Sequence, residues 1–192
     1  MHLLLVRQRI LQGLAALLAC ACLCLGAVGS AAAQNVELVT LATDRRDGAL
    51  TLEFAARVTL PKTVEDALQY GVPIYFVAQA DLKRDRWYWR DERVARVTRQ
   101  WRLAFQPLTG SWRVGLAGIN QTHATLEEAL AVMSRSAGWR LADLSQVDPD
   151  SRHYVDFSYK LDTSQLPGPM QFGLGGGGGE WAVGVQRSVR VE

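Results

Sequence analysis

The chain has 192 residues, with 21 lysines and arginines against 19 aspartates and glutamates. The two surplus cations, Arg7 and Arg9, lie within the first 33 residues, so the rest is neutral and lacks the basic excess of a general nucleic-acid binder. Cys20, Cys22 and Cys24 fall in the same stretch, which excludes disulfides, cysteine–zinc sites and thiol catalysis from everything after it.

Arg7 and Arg9 precede an apolar run over residues 10–28, in which Gln12 is the one polar interruption, and Ala31, Ala32 and Ala33 stand before Gln34. A basic end, an apolar middle and small residues at the close are the order of a secretory signal, read here as residues 1–33 with cleavage between Ala33 and Gln34. Export to the periplasm is the expected consequence. The same run is long enough to stay as an inner-membrane anchor. Leu17-Leu18-Ala19-Cys20 loosely resembles a lipoprotein box, although Leu18 fits it poorly. Residues 34–192 are then one domain, enough chain to bury a core without covalent staples.

Over residues 50–60 the apolar Leu50, Leu52, Phe54, Ala56, Val58 and Leu60 alternate with Thr51, Glu53, Arg57 and Thr59, which predicts a half-buried antiparallel strand. The turn cluster at residues 44–48 makes residues 36–42 its hairpin partner. Thr63 with Asp66, and Val64, Ala67 and Leu68 on one face before Gly71, predict a short capped helix. Residues 74–82 are apolar on both faces and read as a central strand. From residue 95 to 105, Ala95, Val97, Trp101, Leu103 and Phe105 alternate with polar neighbours, and Arg99 interrupts the apolar face.

After a turn at residues 107–110, Trp112, Val114 and Leu116 form the next strand. Thr125 and Glu128 make a capping box for a second helix, with Leu126, Ala129, Leu130 and Met133 on one face and Gly138 as its stop. A loop around Pro149 leads to a strand outlined by Val155, Phe157, Tyr159 and Leu161. Beyond a glycine run at residues 175–179, Trp181, Val183, Val185, Val189 and Val191 outline the last strand. About seven strands with two short helical crossovers predict a mainly β fold, an antiparallel β-sandwich. A small β-barrel of eight strands is the alternative.

Patterns that carry chemistry are sparse. His123 and His153 are the only histidines after residue 33, and no HExxH, CxxC or paired-histidine spacing occurs. Ser151, His153 and Asp156 lie too close along one strand to align as a catalytic triad, because successive side chains alternate faces. The five glycines lack the Lys and Ser/Thr of a phosphate loop, and Asp148 and Asp150 around Pro149 read as a turn rather than a calcium site. No catalytic, cofactor-binding or metal-binding residue is assigned, and the expectation is a protein that is not an enzyme.

The strongest local signal is residues 83–102, where Lys83, Arg84, Arg86, Arg90, Arg93, Arg96, Arg99 and Arg102 meet Asp85, Asp91 and Glu92, interleaved with Trp87, Tyr88, Trp89 and Trp101. Arginine pairs bidentately with anions and stacks on rings. Arg84, Arg86, Trp87, Tyr88, Trp89, Arg90 and Arg93 are therefore the candidate surface for anionic lipid headgroups, acidic glycans or an acidic partner. The plainer reading, preferred on general grounds, is a solvated strand face whose arginine stems cover aromatic surface, with Trp87-Tyr88-Trp89 as packing inside a hairpin.

Gly71-Val72-Pro73-Ile74-Tyr75-Phe76-Val77 and Leu82-Lys83-Arg84-Asp85-Arg86-Trp87-Tyr88-Trp89-Arg90-Asp91 resemble the family catalogued as a domain of unknown function, DUF4390. The likeness continues at Trp101-Arg102-Leu103, Leu108-Thr109, Trp112-Arg113-Val114, Leu126-Glu127-Glu128-Ala129-Leu130, Leu161-Asp162 and Leu166-Pro167-Gly168-Pro169, in order along nearly the whole chain after residue 33. The glycine run departs from it. The resemblance implies an exported proteobacterial protein of unassigned activity, often encoded beside a sensor kinase resembling the nitrogen-regulation type. Three readings follow. The leading one is a non-enzymatic periplasmic binding domain, accessory to a membrane sensor kinase or another envelope protein. The alternative is a carrier of a small apolar ligand or lipid in the domain's interior. The third is an enzyme whose carboxylates no spacing rule reveals.

Overall fold

The computed structural model describes residues 35–88, 90–168 and 181–191. The alternation at residues 50–60 produces the first hairpin, β1 (Val36–Arg46) paired with β2 (Ala49–Val58). Its two-residue connection, Asp47 and Gly48, has positive φ at both positions (51° and 72°), the backbone of a turn whose twist matches that of the strands it joins. Then come α1 (Lys62–Gln69), β3 (Ile74–Arg84), β4 (Glu92–Gln106), β5 (Ser111–Leu116), β6 (Ile119–His123), α2 (Leu126–Met133), β7 (Arg135–Asp143), β8 (His153–Leu161) and β9 (Gly184–Arg190).

The strands form two antiparallel sheets, one in the order β1-β2-β7 and one in the order β6-β5-β4-β3-β8-β9. Neither closes on itself, so the architecture is the expected sandwich and not the alternative barrel. β3 lies centrally between β4 and β8, but only one of its faces is apolar: Phe76, Ala78, Ala80 and Leu82 are buried, while the other face carries Tyr75, Val77 and Gln79, half-buried, and Asp81, which pairs with Arg96.

Nine strands are present among the described residues where the alternation predicts about seven. The two that periodicity misses are β6 and β7. Every residue of β6 is exposed or half-buried, so no apolar period marks it. In β7 the pairing with β2 shifts register twice, and Gly138 sits there at φ 60°. A strand irregularity of this kind breaks the period of two. Gly138 is thus a strand residue and does not stop the second helix, which ends at Met133 with Ser134 as its cap. The capping box itself forms: the Glu128 amide donates to Thr125 Oγ1 at 3.2 Å, and the Glu128 carboxylate accepts from the Ala124 amide at 3.1 Å. For α1 the expected start at Thr63 is displaced, because Pro61 occupies the cap position with no side-chain bond. The fixed φ of proline favours a helix start by itself. The end falls where expected, with the Gly71 and Val72 amides donating to the carbonyls of Leu68 and Ala67.

The inner faces of the sheets supply the core. Leu50, Leu52 and Phe54 from β2, Phe76, Ala78, Ala80 and Leu82 from β3, Trp101 and Leu103 from β4, and Val155, Phe157 and Tyr159 from β8 are all buried. Phe54 is the hub. Its ring centroid lies 4.8 Å from Phe157, 5.6 Å from Tyr159, 6.2 Å from Trp101 and 6.4 Å from Trp139. Tyr159 is fully buried and donates its hydroxyl to the Met133 carbonyl at 3.2 Å, which ties the end of α2 to β8. Arg99, which breaks the apolar face in sequence, points between the sheets. Its guanidinium donates to Ser136 Oγ at 2.5 Å and lies 5.0 Å from the Trp139 ring, so β7 accounts for the exception.

Candidate interaction surface

Pairing between β3 and β4 runs from Ile74 opposite Leu103 to Arg84 opposite Glu92, and residues 85–88 with Arg90 and Asp91 lie beyond the last pair, at the tip. Opposite charges lock the base of this hairpin. The Glu92 carboxylate accepts from both the Arg84 and the Arg86 guanidinium groups, and Arg84 Nη1 also lies 3.6 Å from Asp148. The Asp91 carboxylate accepts from the Arg86 backbone amide at 3.3 Å and from the Tyr154 hydroxyl of β8. The Asp85 amide donates to the Arg152 carbonyl at 2.9 Å. Lys83 Nζ reaches Asp156 at 2.7 Å and lies 5.8 Å from the Tyr154 ring centroid. The tip is therefore tied to the start of β8 as well as to its own strands.

These bonds divide the candidate residues into two groups. Arg84 and Arg86 converge on Glu92 and hold the hairpin. Trp87 and Tyr88 are 91% and 69% exposed, with ring centroids 5.2 Å apart in an edge-to-face pair. Packing of these two rings inside the hairpin is thus not what forms. They lie past the last strand pair, where no facing strand exists to receive them. Arg90 and Arg93 are exposed and enter no ion pair among the described residues. Trp89, the 175–179 glycine run, and Ala33 with Gln34 lie outside the described residues.

Sequence reasoning missed Tyr154, Asp148 and the locking roles of Asp91 and Glu92. Tyr154 stands 63 residues from Asp91, so no local spacing links them. The three acids inside the basic stretch were the one available signal.

Four carboxylates are held below the usual range: Asp81 by the Arg96 guanidinium, Asp91 by the Tyr154 hydroxyl, Glu92 by Arg84, and Asp148 by the Ser151 hydroxyl. Asp81 is the buried one, with Arg96 Nη2 2.7 Å from its Oδ2. A carboxylate whose folded pKa lies below its unfolded value stabilises the fold above the unfolded value and loses that contribution as pH falls through the folded one. The melting temperature should accordingly fall as the pH drops below about 5, where these carboxylates begin to take up protons on unfolding. Asp81→Asn should flatten part of that fall in a pH series of thermal melts. An unchanged slope would show that the Asp81–Arg96 pair contributes nothing.

Among the described residues, the other sequence candidates are not brought together. His153 Nδ1 donates to the Ser151 carbonyl at 3.0 Å, Ser151 Oγ binds Asp148 at 2.7 Å, and Asp156 faces Lys83 and Ser188, so Ser151, His153 and Asp156 make no relay. The Asp150 amide donates to Asp148 Oδ1 at 3.0 Å, which makes this segment the expected turn. His123 and His153 stand on β6 and β8, with three strands between them. Among the described residues no three His, Cys, Asp or Glu side chains gather as a metal site, and no helix is long and apolar enough to cross a membrane.

A family model described as a domain of unknown function, DUF4390, matches residues 33–190. No curated protein and no solved structure matches the chain.

Proposed function

We infer, from the premise that this chain belongs to the DUF4390 family, an exported, non-catalytic interaction domain that meets an envelope partner through the tip of the β3–β4 hairpin. The family carries no assigned activity, so the reading rests on the site. One observation carries it: two large aromatic side chains, Trp87 and Tyr88, stand in solvent on a tip that three carboxylates and Tyr154 hold in place. Rings left in water forgo burial, and an ordered tip loses little freedom when it binds. Trp, Tyr and Arg are also the side chains that dominate binding surfaces. The partner this reading names is an envelope component, either a protein such as the periplasmic domain of a membrane sensor kinase or an anionic surface.

The test is crosslinking in the host envelope with the full-length tagged chain, followed by mass spectrometry of what co-purifies. Arg90→Glu with Arg93→Glu should reduce recovery of the partner at least about tenfold, while stability stays within about 0.5 kcal/mol of the parent. Arg86 is left intact because its reversal would set a carboxylate against Glu92. Undiminished recovery would remove this surface from consideration.

The carrier reading has a narrower support. Rings fill the space around Phe54 between the sheets, but a groove of about 590 Å³ lies outside the core, lined by Val39, Leu60, Leu126 and Leu130 among others. Lipid detected by native mass spectrometry on protein from its host would favour it, and ligand-free spectra would count against it.

A further inference from the structure

We propose that the tip's direct partner is the anionic surface of a phospholipid bilayer, an inference that rests on the tip being the binding site. Trp and Tyr rings are amphipathic and settle at the headgroup level of a membrane. Here they sit at the end of the β3–β4 hairpin, past the Arg84–Glu92 pair. A protein interface of ordinary strength covers about 800 Å² on each side and surrounds its aromatic anchors with neutral contacts. Trp87 and Tyr88 are exposed and have only each other as ring neighbours, whereas a fluid interface closes around an exposed ring from every side.

The charges agree with that placement. Asp91, Glu92 and Asp148 are taken up by Tyr154, Arg84, Arg86 and Ser151, and Asp156 by Lys83. Asp85, half exposed, meets Arg152 only at 3.9 Å. Asp150 is exposed in the neighbouring turn. Arg90, Arg93 and the largely exposed Arg152 remain as outward cations. Each arginine near an anionic leaflet strengthens binding roughly fivefold, and salt weakens that contribution.

Residues from Gln34 onward form one compact unit, so that part of the chain can be tested alone. It should co-sediment with phosphatidylglycerol–phosphatidylethanolamine vesicles and bind phosphatidylcholine vesicles at least about tenfold more weakly. Arg90→Gln with Arg93→Gln should weaken binding about thirtyfold. Brominated lipid should quench a fluorescence component that Trp87→Phe removes. Absence of binding to the anionic vesicles, or quenching unaltered by Trp87→Phe, would overturn the proposal. If vesicles fail while crosslinking still recovers a protein that Arg90→Glu with Arg93→Glu loses, the tip remains the site and the bilayer is excluded. If both fail, both readings fall.

Discussion

Replacing Phe54 by alanine is expected to destabilise the domain by about 3–5 kcal/mol, a large part of the 5–15 kcal/mol that holds a typical domain together. Phe54 is 1% exposed and touches rings from both sheets: Trp139 on its own sheet, and Trp101, Phe157 and Tyr159 on the other. Truncation removes the burial of one ring and leaves a cavity that its neighbours cannot fill. Tyr159 stacks on Phe76 at 5.2 Å and is held by the Met133 carbonyl, and Trp101 meets Tyr159 edge-on at 6.0 Å. Each would have to leave those contacts in order to move inward. Urea denaturation followed by circular dichroism measures the effect as a lower midpoint at unchanged slope. Leu108→Ala is the matched control, since Leu108 is fully exposed and its loss should be neutral within about 0.5 kcal/mol. A loss below about 1 kcal/mol for Phe54→Ala would mean that the sheets are joined elsewhere.

Trp87→Ala with Tyr88→Ala should have the opposite profile. Both rings contact water and each other, so the folded state loses almost nothing and the urea midpoint should stay in place. Association with the partner, protein or vesicle, should fall about thirtyfold or more, the scale of an aromatic anchor worth at least about 2 kcal/mol. A shift in the midpoint equivalent to more than about 1 kcal/mol would reassign the rings to hairpin packing. Intact association would remove the tip as the binding surface. The two variants together separate what holds the domain from what it offers to others.

Alternation alone locates β2, β4, β5 and β8, since each has a buried face whose residues recur at every second position, and β3 is read from its apolar run. The Thr125–Glu128 box locates α2 because both partners of the cap are four residues apart or fewer. Pattern reading fails where burial is absent, as in β6, or where the backbone slips, as at Gly138 in β7. The placement of β7 beside β2 rather than beside β8 has no local signal at all. It depends on Trp139 and Ser136 reaching across to Phe54 and Arg99.

The site divides in the same way. Residues 83–102 announce themselves in sequence by composition, because a dense alternation of arginine and aromatic side chains is rare enough to notice. Which arginines are available could not be read there, since charge pairing depends on distance in space. Glu92 takes up Arg84 and Arg86 through a strand register, and Tyr154 takes up Asp91 across 63 residues of chain. A mainly β fold, its two helices and a dense arginine–aromatic stretch are legible in the chain alone, because those follow from periodicity and composition within a few residues. Only the tertiary structure decided the two-sheet strand order, the inward turn of Arg99, and the exposure of Trp87 and Tyr88, because each depends on which distant strand supplies or withholds a neighbour.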